Sequence, residues 1–186
     1  TEAGVTVNDT YGADTDWLKE VFQKAPMQKH HLSFRGGNDK TTYMVSGSYL
    51  DQDGIIGGDK ASYDRYTARV NVKSKVKKWL DVGANYSFMH SNQKYIGEDD
   101  EYNGIATNTL LMDPLTPVLY DGTPQNITDK IAEGYTLLQN EDGQYYALPE
   151  NVTGEIVNPL AALDTYHNSI VQDKIMGSAY ATLKPI

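Results

Sequence analysis

Cysteine is absent from the 186 residues, so neither a disulfide framework nor a thiolate metal site is available. Basic charge is short: 16 Lys and Arg stand against 25 Asp and Glu, a formal net charge of -9. A nucleic-acid partner requires clustered positive charge and is not expected. No apolar run is long enough for a transmembrane helix, which leaves a β-barrel open because barrel strands never show such a run. Phenylalanine is rare, three residues against fourteen tyrosines. Tyrosine suits positions with one wet and one apolar end, such as membrane interfaces and sugar-binding loops. No Ser-His-Asp arrangement, phosphate-binding loop or zinc pattern is present.

Four runs carry the organisation: Gln28 to Gly36, Thr41 to Asp51, Ser62 to Lys73 and Trp79 to Ser91. In the third, Tyr66, Ala68, Val70 and Val72 share one side, while Arg65, Thr67, Arg69, Asn71 and Lys73 share the other. In the fourth, Leu80, Val82, Ala84, Tyr86 and Phe88 oppose Asp81, Gly83, Asn85, Ser87 and Met89. A period of two predicts consecutive antiparallel strands. Lys174 to Leu183 predicts a fifth, with either face able to be the apolar one.

A sheet with one apolar face meets either a second sheet in a sandwich or lipid in a barrel. Arg, Lys and Asn with small Ser and Gly suit a wet lumen, so Arg65, Thr67, Arg69, Asn71, Asn85 and Ser87 are expected to face it. The aromatic residues Tyr49, Tyr63, Tyr66, Tyr86 and Trp79 are expected to belong to interfacial girdles on the apolar side. Connections alternate short, long, short, very long, as outer-membrane barrels require. The fold class expected is all-β: antiparallel strands of part of a large transmembrane β-barrel, with a long irregular extracellular loop and a short helical turn near the N-terminus. That turn is Trp17 to Phe22, capped by Asp16 and closed before Pro26. A soluble secreted β-sandwich that binds glycans is the alternative.

Several stretches resemble the SusC/RagA-like TonB-dependent outer-membrane transporters. They are Thr15 to Phe22, His31-Leu32-Ser33-Phe34-Arg35-Gly36-Gly37 with Lys40-Thr41-Thr42-Tyr43, Tyr49 to Ile56, Arg65 to Asn71 and Lys78 to Ser87, with weaker support from Asn158-Pro159-Leu160-Ala161 and Ala179 to Ile186. The resemblance implies a roughly 22-stranded plugged barrel, a SusD-like surface lipoprotein as partner, TonB engaged through parts outside this chain, and import of glycans or peptides across the outer membrane of a Gram-negative bacterium. It implies no enzyme. Because the chain starts at Thr1 without a signal peptide and stops at Ile186 directly after a strand-like run, it is expected to be a fragment of a longer protein. Residues 1–27 are then the end of an external loop with the short helix, 28–92 four barrel strands, 93–172 the long extracellular loop, and 173–186 a further barrel strand.

Substrate or partner contact is expected from tyrosines at the start of and along the long loop: Tyr95, Tyr102, Tyr120, Tyr135, Tyr145, Tyr146 and Tyr166. No cofactor is expected, although Glu98, Asp99, Asp100 and Glu101 supply oxygen ligands of the kind calcium takes. His30 and His31 are adjacent, so on a strand they point to opposite faces and do not share a metal. Asp113, Asp121 and Glu133 are carboxylates that nothing places at the separation glycoside hydrolysis needs.

Overall fold

The computed structural model of the chain describes residues 13–97, 104–149 and 156–185. It divides into two compact units, a sheet unit (25–54, 61–94 and 168–186) and a loop unit (1–24, 55–60 and 95–167).

The sheet unit is a meander of five strands: β1 (Met27–Gly37), β2 (Thr41–Asp53), β3 (Ser62–Lys77), β4 (Leu80–Tyr95) and β5 (Asn168–Leu183), in that spatial order. Each strand runs past its expected bounds at one end or both, although β4 begins at Leu80, one residue inside the expected Trp79. Backbone pairing continues into polar positions where the apolar period has already faded, such as Gln52 against Tyr63 and Asn92 against Asp64. The tight β1–β2 connection is set by Asn38, whose side-chain oxygen accepts from the backbone N–H groups of Lys40 and Thr41.

The register aligns the faces across strands. Phe34, Val45, Val70 and Tyr86 form one apolar row, and Leu32, Gly47, Ala68 and Phe88 another. On the reverse side lie Ser33, Ser46, Arg69 and Ser87, then Arg35, Met44, Asn71 and Asn85. The face of β5 is fixed by three contacts on that reverse side: Ser178 accepts from Asn85, the Tyr180 ring lies across Gly83, and Lys184 donates to Asp81. Ile175, Gly177, Ala179, Ala181 and Leu183 therefore join the apolar face. One expectation is corrected here. Tyr63 does not belong with the apolar-face aromatics; it lies on the polar side, with the Arg65 guanidinium 5.9 Å above its ring. Odd-numbered positions of β3 from Tyr63 to Lys75 share that side.

The sheet has no packed interior. Every residue of β5 is exposed, as are all those of β1 except Gly36. Large apolar side chains on the apolar face stand open, among them Phe34 at 61% and Ile175 at 65% exposure. The described strands form a single sheet, so no second apolar sheet covers them in the way a sandwich demands.

The core lies instead in the loop unit, where the structure adds three short helices to a stretch whose sequence shows no period. Besides α1 (Trp17–Val21), these are α2 (Ile105–Leu111), α3 (Gln125–Ala132) and α4 (Pro159–Thr165). Val21, Ile105 and Leu163 are buried together, with Phe22, Ile56, Ile96, Leu160 and Tyr166 packed around them. Helix α1 forms as expected, its Asp16 cap accepting from the Lys19 N–H, and the Trp17 indole donates to the Asp113 carbonyl at 2.8 Å. Asn158 ties the unit together. Its amide donates to the carbonyls of Val118 and Ala147, and its oxygen caps α4 through Leu160 and Ala161.

Candidate functional site

Two sets of residues bear on function. The first is the pair of sheet faces. The six residues expected to face a lumen do share one side: Arg65, Thr67, Arg69 and Asn71 alternate along β3, and Asn85 and Ser87 sit opposite Asn71 and Arg69 on β4. Arg69, Asn71, Asn85 and Ser87 border a depression of about 180 Å³ with Met176 and Ser178. Sequence reading missed Tyr180 and the Asp81–Lys184 pair on this side, because the alternation of β5 is the same whichever way it faces. Lys184 reaches Asp81 at 2.8 Å, and Asp81 is only 5% exposed.

The apolar face carries an edge that the sequence shows only in part. His30, Tyr49, Tyr66 and His90 are direct cross-strand partners. Their rings run in line over four strands at centroid spacings of 6.4, 4.9 and 6.4 Å. On β5, Asp173 continues the row and is bonded to His90 Nδ1 at 2.7 Å. Polar residues such as Gln28, Asp51 and Asp64 lie on the loop side of this row, and apolar ones fill the rows on the other side. From Tyr66 to Val76, β3 covers roughly 33 Å at ~3.3 Å per residue, about 25 Å of height at a tilt of ~40°. That equals the outward apolar band of an outer-membrane barrel, ~25 Å tall and edged by aromatic rings.

The second set is the tyrosines of the loop. Tyr120 and Tyr145 are joined by a backbone hydrogen bond, and Tyr146 bridges to Leu119. The hydroxyls are largely committed. Tyr120 accepts from Asn126, Tyr146 donates to Asp164, and Tyr166 donates to the Gly97 carbonyl. Burial, and then the Asp164 carboxylate, hold the Tyr146 phenol well above its ordinary value of 10.0. Tyr135 is 58% exposed beneath Lys130, and Tyr95 ends β4, so neither joins this group. Tyr102 and the carboxylates Glu98, Asp99, Asp100 and Glu101 lie outside the described residues. Among the described residues no group of three or more His, Asp or Glu side chains is arranged to hold a metal.

No family profile matches the chain. The TonB-dependent receptor SusC of Bacteroides thetaiotaomicron is 29% identical over 170 residues, 89% of this chain and 16% of that protein. A TonB-dependent receptor of Formosa agariphila is 24% identical over 174 residues, 92% of this chain and 14% of that protein. A solved structure of the RagAB peptide transporter superposes with a TM-score of 0.63 at 25% identity, covering 93% of this chain and 17% of that one. The chain is SusC/RagA-like. It spans less than a fifth of the length of these relatives. A SusC/RagA-like sheet explains why the five strands form an open meander: a partial barrel has edges at β1 and β5 that only further strands satisfy.

Proposed function

We propose that the chain is an early barrel segment, with its external loops, of an outer-membrane TonB-dependent nutrient transporter of a Gram-negative bacterium. The whole receptor imports glycans or peptides together with a SusD-like surface lipoprotein, and TonB engages parts of it outside this chain. In this reading the polar face of β1–β5 lines the lumen, the apolar face meets lipid, and residues 96–167 form an external loop that contacts substrate or partner. The chain takes no part in bond-making chemistry. The carrying observation is the ring row over four strands, which separates a polar margin from an apolar band of membrane height. A sandwich has no use for such a border.

The test is fractionation of the source cells, followed by immunoblotting of boiled and unboiled samples. A receptor-sized band in the outer membrane that shifts on boiling, and that brings down a surface lipoprotein in detergent, is the expected result. A soluble 20.7 kDa band overturns the reading.

A further inference from the structure

The charges of the sheet unit are sorted by height as well as by face. Just on the loop side of the ring row, the positions on the apolar face are Gln28, Asp51, Asp64 and Asn92, acidic without a cation. The row beyond holds Asp53 and Lys94, one of each sign. The opposite border, where the apolar band ends at Val76, carries the reverse sign. Lys77 and Lys78 follow Val76 directly, and both are exposed. Lys40 lies in the neighbouring β1–β2 connection, where its carbonyl accepts the Lys75 N–H at 2.7 Å and so holds the two turns side by side. Asp39 is the one carboxylate in either connection. The remaining charges at this end belong to the polar face: Lys73, Lys75 and Asp81, the last paired with Lys184 at 2.8 Å.

Lys77 has left the alternation of its own strand. The register slips between Lys75 and Lys77, so Lys77 pairs with Leu80 of the apolar face instead of continuing the polar side. Bulges re-aim side chains in this way. Val76 and Trp79 stand beside it at 51% and 43% exposure. A tryptophan among lysines at the end of an apolar band is the composition of a membrane–water interface, with lysine stems along the apolar surface and ammonium groups among the headgroups.

We infer that this turn-side border binds anionic phospholipid, its headgroup phosphate held by Lys40, Lys77 and Lys78 and its acyl chains lying along the apolar band above Val76. The inference rests on the barrel reading for the presence of lipid, and adds which lipid and at which border. An ammonium near an anionic lipid surface raises partitioning about fivefold. The acidic loop-side border has no such gain. A soluble acidic protein would match the lysines, but it would leave Val76 and Trp79, at the same height, in water.

The test places the complete receptor in phosphatidylcholine vesicles doped with photoactivatable lipids and maps the labelled peptides. Two probes carry the reactive group at the headgroup, one phosphatidylglycerol and one phosphatidylcholine; a third carries it in the acyl chain. The expected result is labelling of residues 76–82 by the phosphatidylglycerol probe about fivefold or more above the phosphatidylcholine probe. Replacing Lys40, Lys77 and Lys78 together by Gln brings the two headgroup probes level, whereas Arg at all three positions keeps the preference. Lys29→Gln with Lys174→Gln, on the polar face, leaves it intact. The boiling-dependent gel shift reports that each variant is folded, and Lys78→Gln alone, in the turn, gives a partial loss if the triple variant is not. Equal labelling by the two headgroup probes in the unaltered receptor overturns the inference, as does a preference that survives in the folded Gln variants. Loss of uptake in the triple Gln variant with its lipid preference unchanged overturns it in favour of an acidic protein partner. The acyl-chain probe separates the two readings. Absence of its label from residues 66–76 removes the barrel itself, whereas its presence there with a lysine-insensitive headgroup preference removes the lipid site alone.

Discussion

Val70 and Asn71 are chain neighbours on β3 that face opposite sides of the sheet, and replacing each by Arg tests what those sides meet. Val70 lies on the row Phe34, Val45, Val70, Tyr86, two rows from the ring row at Tyr66. Four residues at ~3.3 Å make about 13 Å along the strand, and a tilt of ~40° turns this into about 10 Å of depth. In an apolar band ~25 Å tall, that is close to the midplane, where an outward Arg costs about 2–4 kcal/mol. Ala68 is at half that depth, so Ala68→Arg should cost less than Val70→Arg. Asn71 faces the polar depression beside Asn85, and Asn71→Arg should stay within about 0.5 kcal/mol, the usual range for a change away from packed features. The assay is reversible guanidinium unfolding of the complete receptor in phospholipid vesicles, read by tryptophan fluorescence. Equal costs at Val70 and Asn71, or a greater cost at Ala68 than at Val70, would refute the assignment of faces and depth.

Other expectations follow from single contacts. Asn158→Ala removes the donors to one buried and one part-buried carbonyl and the α4 cap, and should destabilise the loop unit by about 2–4 kcal/mol, read as faster proteolysis within 104–149 while the receptor stays in the membrane. Gly83→Ala places a methyl group against the Tyr180 ring and should cost about 1–3 kcal/mol, much of it recovered by adding Tyr180→Ala; a strictly additive double mutant would deny the contact. Tyr146 has a raised pKa in the folded chain, so its contribution to stability is fully present below pH 10, its ordinary value, and is lost as pH rises beyond it toward the folded value. Tyr146→Phe should therefore flatten the alkaline fall in loop stability measured by hydrogen exchange, and an unchanged profile would argue against the part-buried Tyr146–Asp164 bond.

Strand order and the two-sided character of β3 and β4 were legible because a period of two is written directly in the residue types, Arg65-Tyr66-Thr67-Ala68 being the plainest case. The facing of β5 was not, since Gly177, Ala179 and Ala181 are nearly as small and neutral as Ser178 and Thr182. Only a neighbouring strand decides it, through Asn85, Gly83 and Asp81. The ring row was half legible. Tyr49 and Tyr66 stand out as aromatic, but their alignment with His30 and His90 depends on register, which no single strand specifies. Helices α2–α4 are too short for a helical period to emerge, and they are held by distant partners, such as Asn158 reaching Val118 and Ala147.

The location of the packed core has a consequence for biogenesis. On the proposed barrel reading, Val21, Ile105 and Leu163 can come together in water, whereas β1–β5, whose apolar side is uncovered, become stable only when lipid and further strands take up their surfaces and edges. The two units thus answer to different solvents and to different quality control. Damage to the loop core should yield receptors that reach the membrane with a disordered exterior, and damage to the apolar rows should yield chains intercepted before insertion. A mutational screen that scores surface exposure and total abundance separately would sort residues of this chain into those two groups without any structural input.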